Sequence, residues 1–181
     1  GAGFPLGGIY CHETSPVIEG NDIRGNRSSW DGGGIAVFSH EYSSLASPAI
    51  RNNLIEANIA GWGGGGISLD HSAAEIVGNI IRENSAGNQG GGIGCRYEDE
   101  PLIANNIITG NSTELDGGGI FCGWKSLPVI AGNTVYGNDA SLGGGGLACD
   151  FGGSPSVTNT VLWSNTASFG DEIGLLHYLY S

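Results

Sequence analysis

Positive charge is scarce in this chain of 181 residues: six Lys+Arg stand against 18 Asp+Glu, a formal net charge of −12. A surface of that sign repels a phosphate backbone and anionic headgroups alike, so no nucleic-acid partner and no membrane insertion are expected. No apolar run approaches the ~20 residues that cross a bilayer as a helix. Residues 1–10 lack the basic start of a secretory signal, and the sequence as given reads as a soluble chain. Methionine is absent, and the four cysteines form no C-x-x-C pair, which removes the usual zinc-finger frameworks. There is no nucleophile elbow, P-loop or zinc-protease motif, so no catalytic residue is assigned. Only six prolines accompany 35 glycines, and the glycines follow no G-X-Y period, which excludes collagen and favours a β protein dense in turns.

What is present is a repeat. Glycines followed by an aliphatic residue recur at Gly8-Ile9, Gly34-Ile35, Gly66-Ile67, Gly92-Ile93, Gly119-Ile120 and Gly146-Leu147, with a worn copy ending at Ile173. Successive anchors lie 26, 32, 26, 27, 27 and 26 residues apart, and the six extra residues of the second coil fall between Val37 and Pro48. Two further anchors keep a fixed phase, each an aliphatic residue three before a polar one. The first polar row is Asn21, Asn53, Asn79, Asn106, Asn133 and Thr160; the second is Asn26, Asn58, Asn84, Asn111, Asn138 and Asn165. Proline precedes the first of these anchors by two residues in five coils, where a strand begins and needs no ladder donor.

Three short strands per 26 to 27 residues, with no helical period between them, predict an all-β, single-stranded parallel β-helix of about six coils. At ~4.8 Å per coil it would span roughly 29 Å. Asparagine tolerates left-handed backbone angles and its amide both donates and accepts, so the Asn rows are expected to be structural ladders. Residues 1–6 form a lead-in, 7–170 the coils and 171–181 a C-terminal strand or cap, all in one domain. The thin ends leave three outcomes: the tail folds over its own core, it pairs head to tail with a further copy of the chain as a homo-oligomer or fibre, or the ends are cuts within a larger protein.

The cysteines share one coil position, two after the anchor, which Val37, Leu69 and Leu175 fill elsewhere; they are expected to be buried apolar thiols. Four after the anchor stand Glu13, Ser39, His71, Tyr97, Trp124, Phe151 and His177. Those rings either stack against successive sugars of a polymer or seal a corner of the solenoid. One position earlier, His12, Phe38, Asp70, Arg96, Gly123, Asp150 and Leu176 are expected to point outward. If there is a binding face, Asp70, His71, Arg96, Tyr97, Trp124, Asp150 and Phe151 mark it. Glu98-Asp99-Glu100 is the one weak candidate for Ca2+, against the plainer reading of a solvated turn; otherwise no cofactor or metal is expected.

Gly-Gly-Gly-Ile together with Ile-x-x-Asn-x-Ala, at Ile55 to Ala60 and Ile81 to Ala86, resembles the right-handed parallel β-helix proteins of the pectate-lyase-like superfamily. Among these it is similar to the polymorphic outer-membrane-protein repeats, with Ile, Val or Leu in place of their Phe. Asn159-Thr-Val-Leu-Trp-Ser-Asn165, followed by Asp171-Glu-Ile173, also looks like the closing coils of secreted bacterial β-helix proteins. The resemblance implies a right-handed coil and an extracellular or cell-surface location. With the aromatic column it implies binding or cleavage of a polysaccharide, with a surface glycan as partner, whereas the exposed ends and the absence of catalytic groups point to a structural or adhesive role without catalysis.

Overall fold

A computed structural model describes residues 7–40 and 45–176. The lead-in 1–6, residues 41–44 of the second-coil insertion, and 177–181 of the tail, with His177, lie outside the described residues. Every strand pairs in parallel with its counterpart one coil away, and the strands gather into four sheets of seven, six, six and six strands. The first sheet carries the glycine-block anchors, in register from Ile9 through Ile35, Ile67, Ile93, Ile120 and Leu147 to Ile173. The second and third carry the two aliphatic anchors that precede the Asn rows. The fourth consists mainly of two-residue pieces such as Ser85–Ala86 and Ser112–Thr113, one more side per coil than the anchors predict. Among the described residues there is no helix.

The core follows from the register. Ile35, Ile67 and Ile93 from the first sheet meet Ile50, Ile76 and Ile103 from the second and Ile55, Ile81 and Ile108 from the third, all fully buried. Each contributes roughly 1.5–3 kcal/mol by leaving water. Cys11, Cys95, Cys122 and Cys149 occupy the same interior as free, buried thiols, as a slot shared with Val37 and Leu69 requires. Hydrogen bonding to the Cys149 and Cys95 thiols, and burial, push the Cys122 thiol well above its ordinary range, so it stays protonated and inert.

The Asn rows close two corners. In the second row the Oδ1 of Asn84 accepts from both the backbone N–H and the Nδ2 of Asn58, each at 3.0 Å. Its own Nδ2 donates to Asn111 Oδ1 and to the Ile55 carbonyl, each at 2.9 Å. Every hydrogen-bonding position of the amide is used. The row ends where Asn165 Nδ2 donates to the Glu172 carboxylate at 2.6 Å. The other row weakens at its last member, where the Asn133 N–H reaches Thr160 Oγ1 at 3.4 Å. The left-handed angles sit one residue earlier than the ladder asparagines, on Asn52, Ala57, Glu83, Gly110 and their equivalents. The ladder side chains hold the turn while their neighbours make the bend.

In the glycine block the first residue bends the chain and the second lets coils touch. Gly64 has φ +64°, and a Cβ there would lie 2.4 Å from the Ile67 carbonyl oxygen. A Cβ on Gly65 would lie 2.4 Å from the carbonyl oxygen of Gly91, one coil away.

Candidate functional site

The first sheet alternates inward and outward side chains, and its outer face forms the floor of a groove. One wall is the segment before each glycine block, where isolated parallel bridges link Gly63, Gln89, Asp116 and Gly143 from coil to coil. Near the N-terminal end the hollow reaches about 480 Å³ and is lined by Tyr10, Trp30, Asp31, Phe38, Ser68, Asp70 and Arg96 among others. Phe38, Asp70 and Arg96 are consecutive members of one outward row, fixed by Cα pairing across adjacent coils.

Arg96 lies deep in this groove with 4% of its side chain exposed, and it is the one cation buried among the described residues. Its guanidinium crosses the coil below to reach Asp31 Oδ1 at 2.6 Å and stands 3.4 Å from Ser68 Oγ. Gly63 leaves room for it: an added Cβ there would already touch Arg96 Cζ at 3.5 Å. Asp31 is held in turn by the Gly63 N–H at 3.0 Å. Asp70 is shared with His71 Nδ1 at 2.7 Å. Burial raises the Asp70 carboxyl above its ordinary range, against the opposing pull of His71 and Arg96. The row lies on the outer face of the first sheet, but Arg96 and Asp150 in it are buried.

The aromatic column forms the next corner, with left-handed backbone at His71, Tyr97, Trp124 and Phe151. The rings stack on one another, with centroid separations of 5.8, 5.3 and 4.5 Å and interplanar angles of 8°, 26° and 9°. Their faces are thus spent within the column, and edges line a second hollow of about 280 Å³ with Glu98 and Lys125. The geometry is that of the corner seal. Sugar stacking would need faces that only the end members can offer.

Of the seven residues expected on a binding face, Asp70, His71 and Arg96 come together at the groove. Tyr97, Trp124 and Phe151 lie beside and beyond it, and Asp150 is two coils away in the same outward row. Sequence reasoning missed Tyr10, Trp30, Asp31 and Phe38 as groove residues. One signal was available for the wall: Trp30 and Trp62 share a coil position five before the anchor, and Asp31 follows the first of them.

The acidic loop does not converge on a centre. Glu98 faces Lys125 at 3.4 Å, while Asp99 turns inward and accepts from the N–H groups of Ser72 and Arg96 at 2.6 and 2.5 Å. Burial still places the Asp99 carboxyl well above its ordinary range, outweighing those two bonds. For a raised folded-state value, the stabilising contribution is complete below the unfolded pKa of about 3.9 and is lost as pH rises through the folded value. Asp99 and Asp70 therefore predict a melting temperature that falls from mild acid toward neutrality, as calorimetry across pH would show. A flat or rising profile contradicts the assignment.

No helix of the described residues is long and apolar enough to cross a membrane. No curated protein and no solved structure matches the chain. Residues 41–176 match the family described as the right handed beta helix region. With that match covering most of the sequence, and parallel coils stacked in register through it, the chain belongs to the right-handed parallel β-helix family.

Proposed function

We propose that the protein is a non-catalytic, extracellular, adhesive β-helix that holds a polysaccharide lengthwise in the groove over its first sheet. The observation that carries this reading is the placing of three aromatic side chains, Tyr10, Trp30 and Phe38, around the ion pair that buried Arg96 on the floor makes with Asp31 on the wall. Aromatic faces and edges take the apolar side of a pyranose, and fixed polar groups between them select its hydroxyls. The two carboxylates are already engaged, Asp31 by Arg96 and Gly63 and Asp70 by His71, which suits binding better than proton transfer.

Charge narrows the ligand. Arg96 is neutralised by Asp31, Asp70 adds a further carboxyl, and the chain as a whole carries −12. A polyuronate would meet repulsion without a spare cation to receive it, so the expected ligand is a neutral or amino-sugar polymer.

A glycan array followed by calorimetry tests the reading. Neutral or amino-sugar oligosaccharides are expected to bind, and Trp30→Ala to weaken them about tenfold, or roughly 1.4 kcal/mol. An array with no bound glycan, a preference for polygalacturonate, or release of shortened product would each sink it.

A second reading is head-to-tail association of copies, through the unpaired edge strands that a stack of parallel coils offers at its ends. Sedimentation velocity over rising concentration decides it. Growing species support assembly, and a constant monomer removes it.

A further inference from the structure

We propose that His12, Glu13 and His40 form a binding site for a divalent transition-metal ion of the Zn2+ type, beside the groove and independent of any glycan. One ligand atom from each of the three side chains lies within 4.8 Å of the other two, and His40 Nε2 stands 4.0 Å from Glu13 Oε1. Tetrahedral zinc with bonds near 2.0–2.1 Å needs its ligands about 3.3 Å apart. Rotation of exposed side chains by an ångström or so closes that gap.

The backbone beneath the three is fixed. His12 is the Cα partner of Phe38 in the first sheet, and the Glu13 N–H donates to the Phe38 carbonyl at 2.9 Å. Ser39, between Phe38 and His40, is fully buried; its N–H donates to the Asp70 carbonyl at 3.0 Å and its Oγ accepts from the Ala46 N–H at 3.0 Å. Two adjacent coils thus present two imidazoles and a carboxylate on one rigid corner. The imidazoles meet at 75°, with centroids 5.2 Å apart, so their in-plane lone pairs can approach one centre from different directions.

The donor set selects the ion. Ca2+ takes six to eight oxygens, and here a single carboxylate is offered; two imidazole nitrogens with one carboxylate suit zinc and its neighbours. Three protein ligands leave the fourth tetrahedral position for water or for an oxygen of a bound molecule. The negative charge of the chain favours capture of a cation. Phe38 packs against both rings, at 5.4 Å from His12 and 5.3 Å from His40, and Tyr10 stacks on His12 at 5.9 Å. Loading the site would therefore immobilise two of the groove's aromatic side chains.

The test is calorimetric titration of the full chelator-stripped chain with Zn2+, repeated with Ca2+, and the visible spectrum of its Co2+ complex. A single Zn2+ is expected to bind, Ca2+ not to compete, and the Co2+ spectrum to show nitrogen and oxygen ligation without a thiolate charge-transfer band. His12→Ala and His40→Ala, both at exposed positions, should each lower affinity by at least the roughly 10–100-fold that loss of a supporting partner costs at a zinc site. Binding that survives either substitution, thiolate bands that place the ion on cysteine, or no Zn2+ uptake at all would each overturn the proposal.

Discussion

Asn84→Ala is expected to remove a large share of the stability of the protein although the side chain touches no ligand. The substitution removes four buried hydrogen bonds at once: the Asn58 backbone N–H loses its acceptor, the Asn58 Nδ2 keeps only the Ile23 carbonyl, and Asn111 Oδ1 and the Ile55 carbonyl each lose a donor. At roughly 1–3 kcal/mol for the unsatisfied donor and about 0.5–1.5 kcal/mol for each of the other three bonds, the loss is about 2.5–7.5 kcal/mol. A domain has about 5–15 kcal/mol in total. Asn84→Asp keeps the acceptor for Asn58 but sets a carboxylate oxygen against Asn111 Oδ1 and the Ile55 carbonyl, so it should recover only part of the loss. Urea denaturation measures both. A midpoint for Asn84→Ala within the equivalent of 1 kcal/mol of the parent would show that the ladders decorate the corners without holding them.

Gly91→Val has the second large effect, for a steric reason. The first added carbon would lie 2.4 Å from the Ser112 carbonyl oxygen and 2.5 Å from that of Gly118, both backbone atoms of the next coil. Overpacking an interior usually costs about 1–3 kcal/mol when side chains can move aside. Here only the coil itself can move, and moving it breaks the ladder on every sheet, so the variant is expected to accumulate as insoluble chain. Gly110→Ala supplies the contrast. Its φ is +62°, yet nothing lies nearer than 3.8 Å, and its equivalents Ala57 and Glu83 already adopt left-handed angles. That change should cost only the ~1–2 kcal/mol of a left-handed L-residue. Solubility and circular dichroism of the pair separate crowding from backbone angle, and a folded Gly91→Val would refute the close-approach argument.

These two substitutions also mark what could be read before the fold was seen. Ile67, Asn84 and Gly65 recur because a translated coil presents the same environment every 26 or 27 residues, so their spacing alone places them on core, ladder and contact. The fourth side was hidden, since pieces such as Ser85–Ala86 are too short and too polar to carry a period of two. The groove was hidden for a different reason. Its features depend on departures from the repeat: Gly63 where another coil has Asp31, and Arg96 reaching across that gap to a carboxylate two coils distant. Periodicity marks what coils have in common and says little about sites built from their differences. The aromatic column was legible as a row, but whether its rings face solvent or each other depends on the left-handed turn beneath them, which no spacing reveals.

The amide ladders carry a sense as well as a bond. From Asn26 to Asn138 each amide offers one hydrogen to the amide oxygen of the next coil and never the reverse, and at Asn165 that hydrogen turns to the carboxylate of Glu172 while the other goes to the Val135 carbonyl. The rod is therefore polarised along its length, like a stack of small magnets laid the same way round. Anything that lengthens it, whether more of its own polypeptide or another rod, can splice on only with matching orientation, and two identical tips brought together would present oxygen to oxygen or hydrogen to hydrogen.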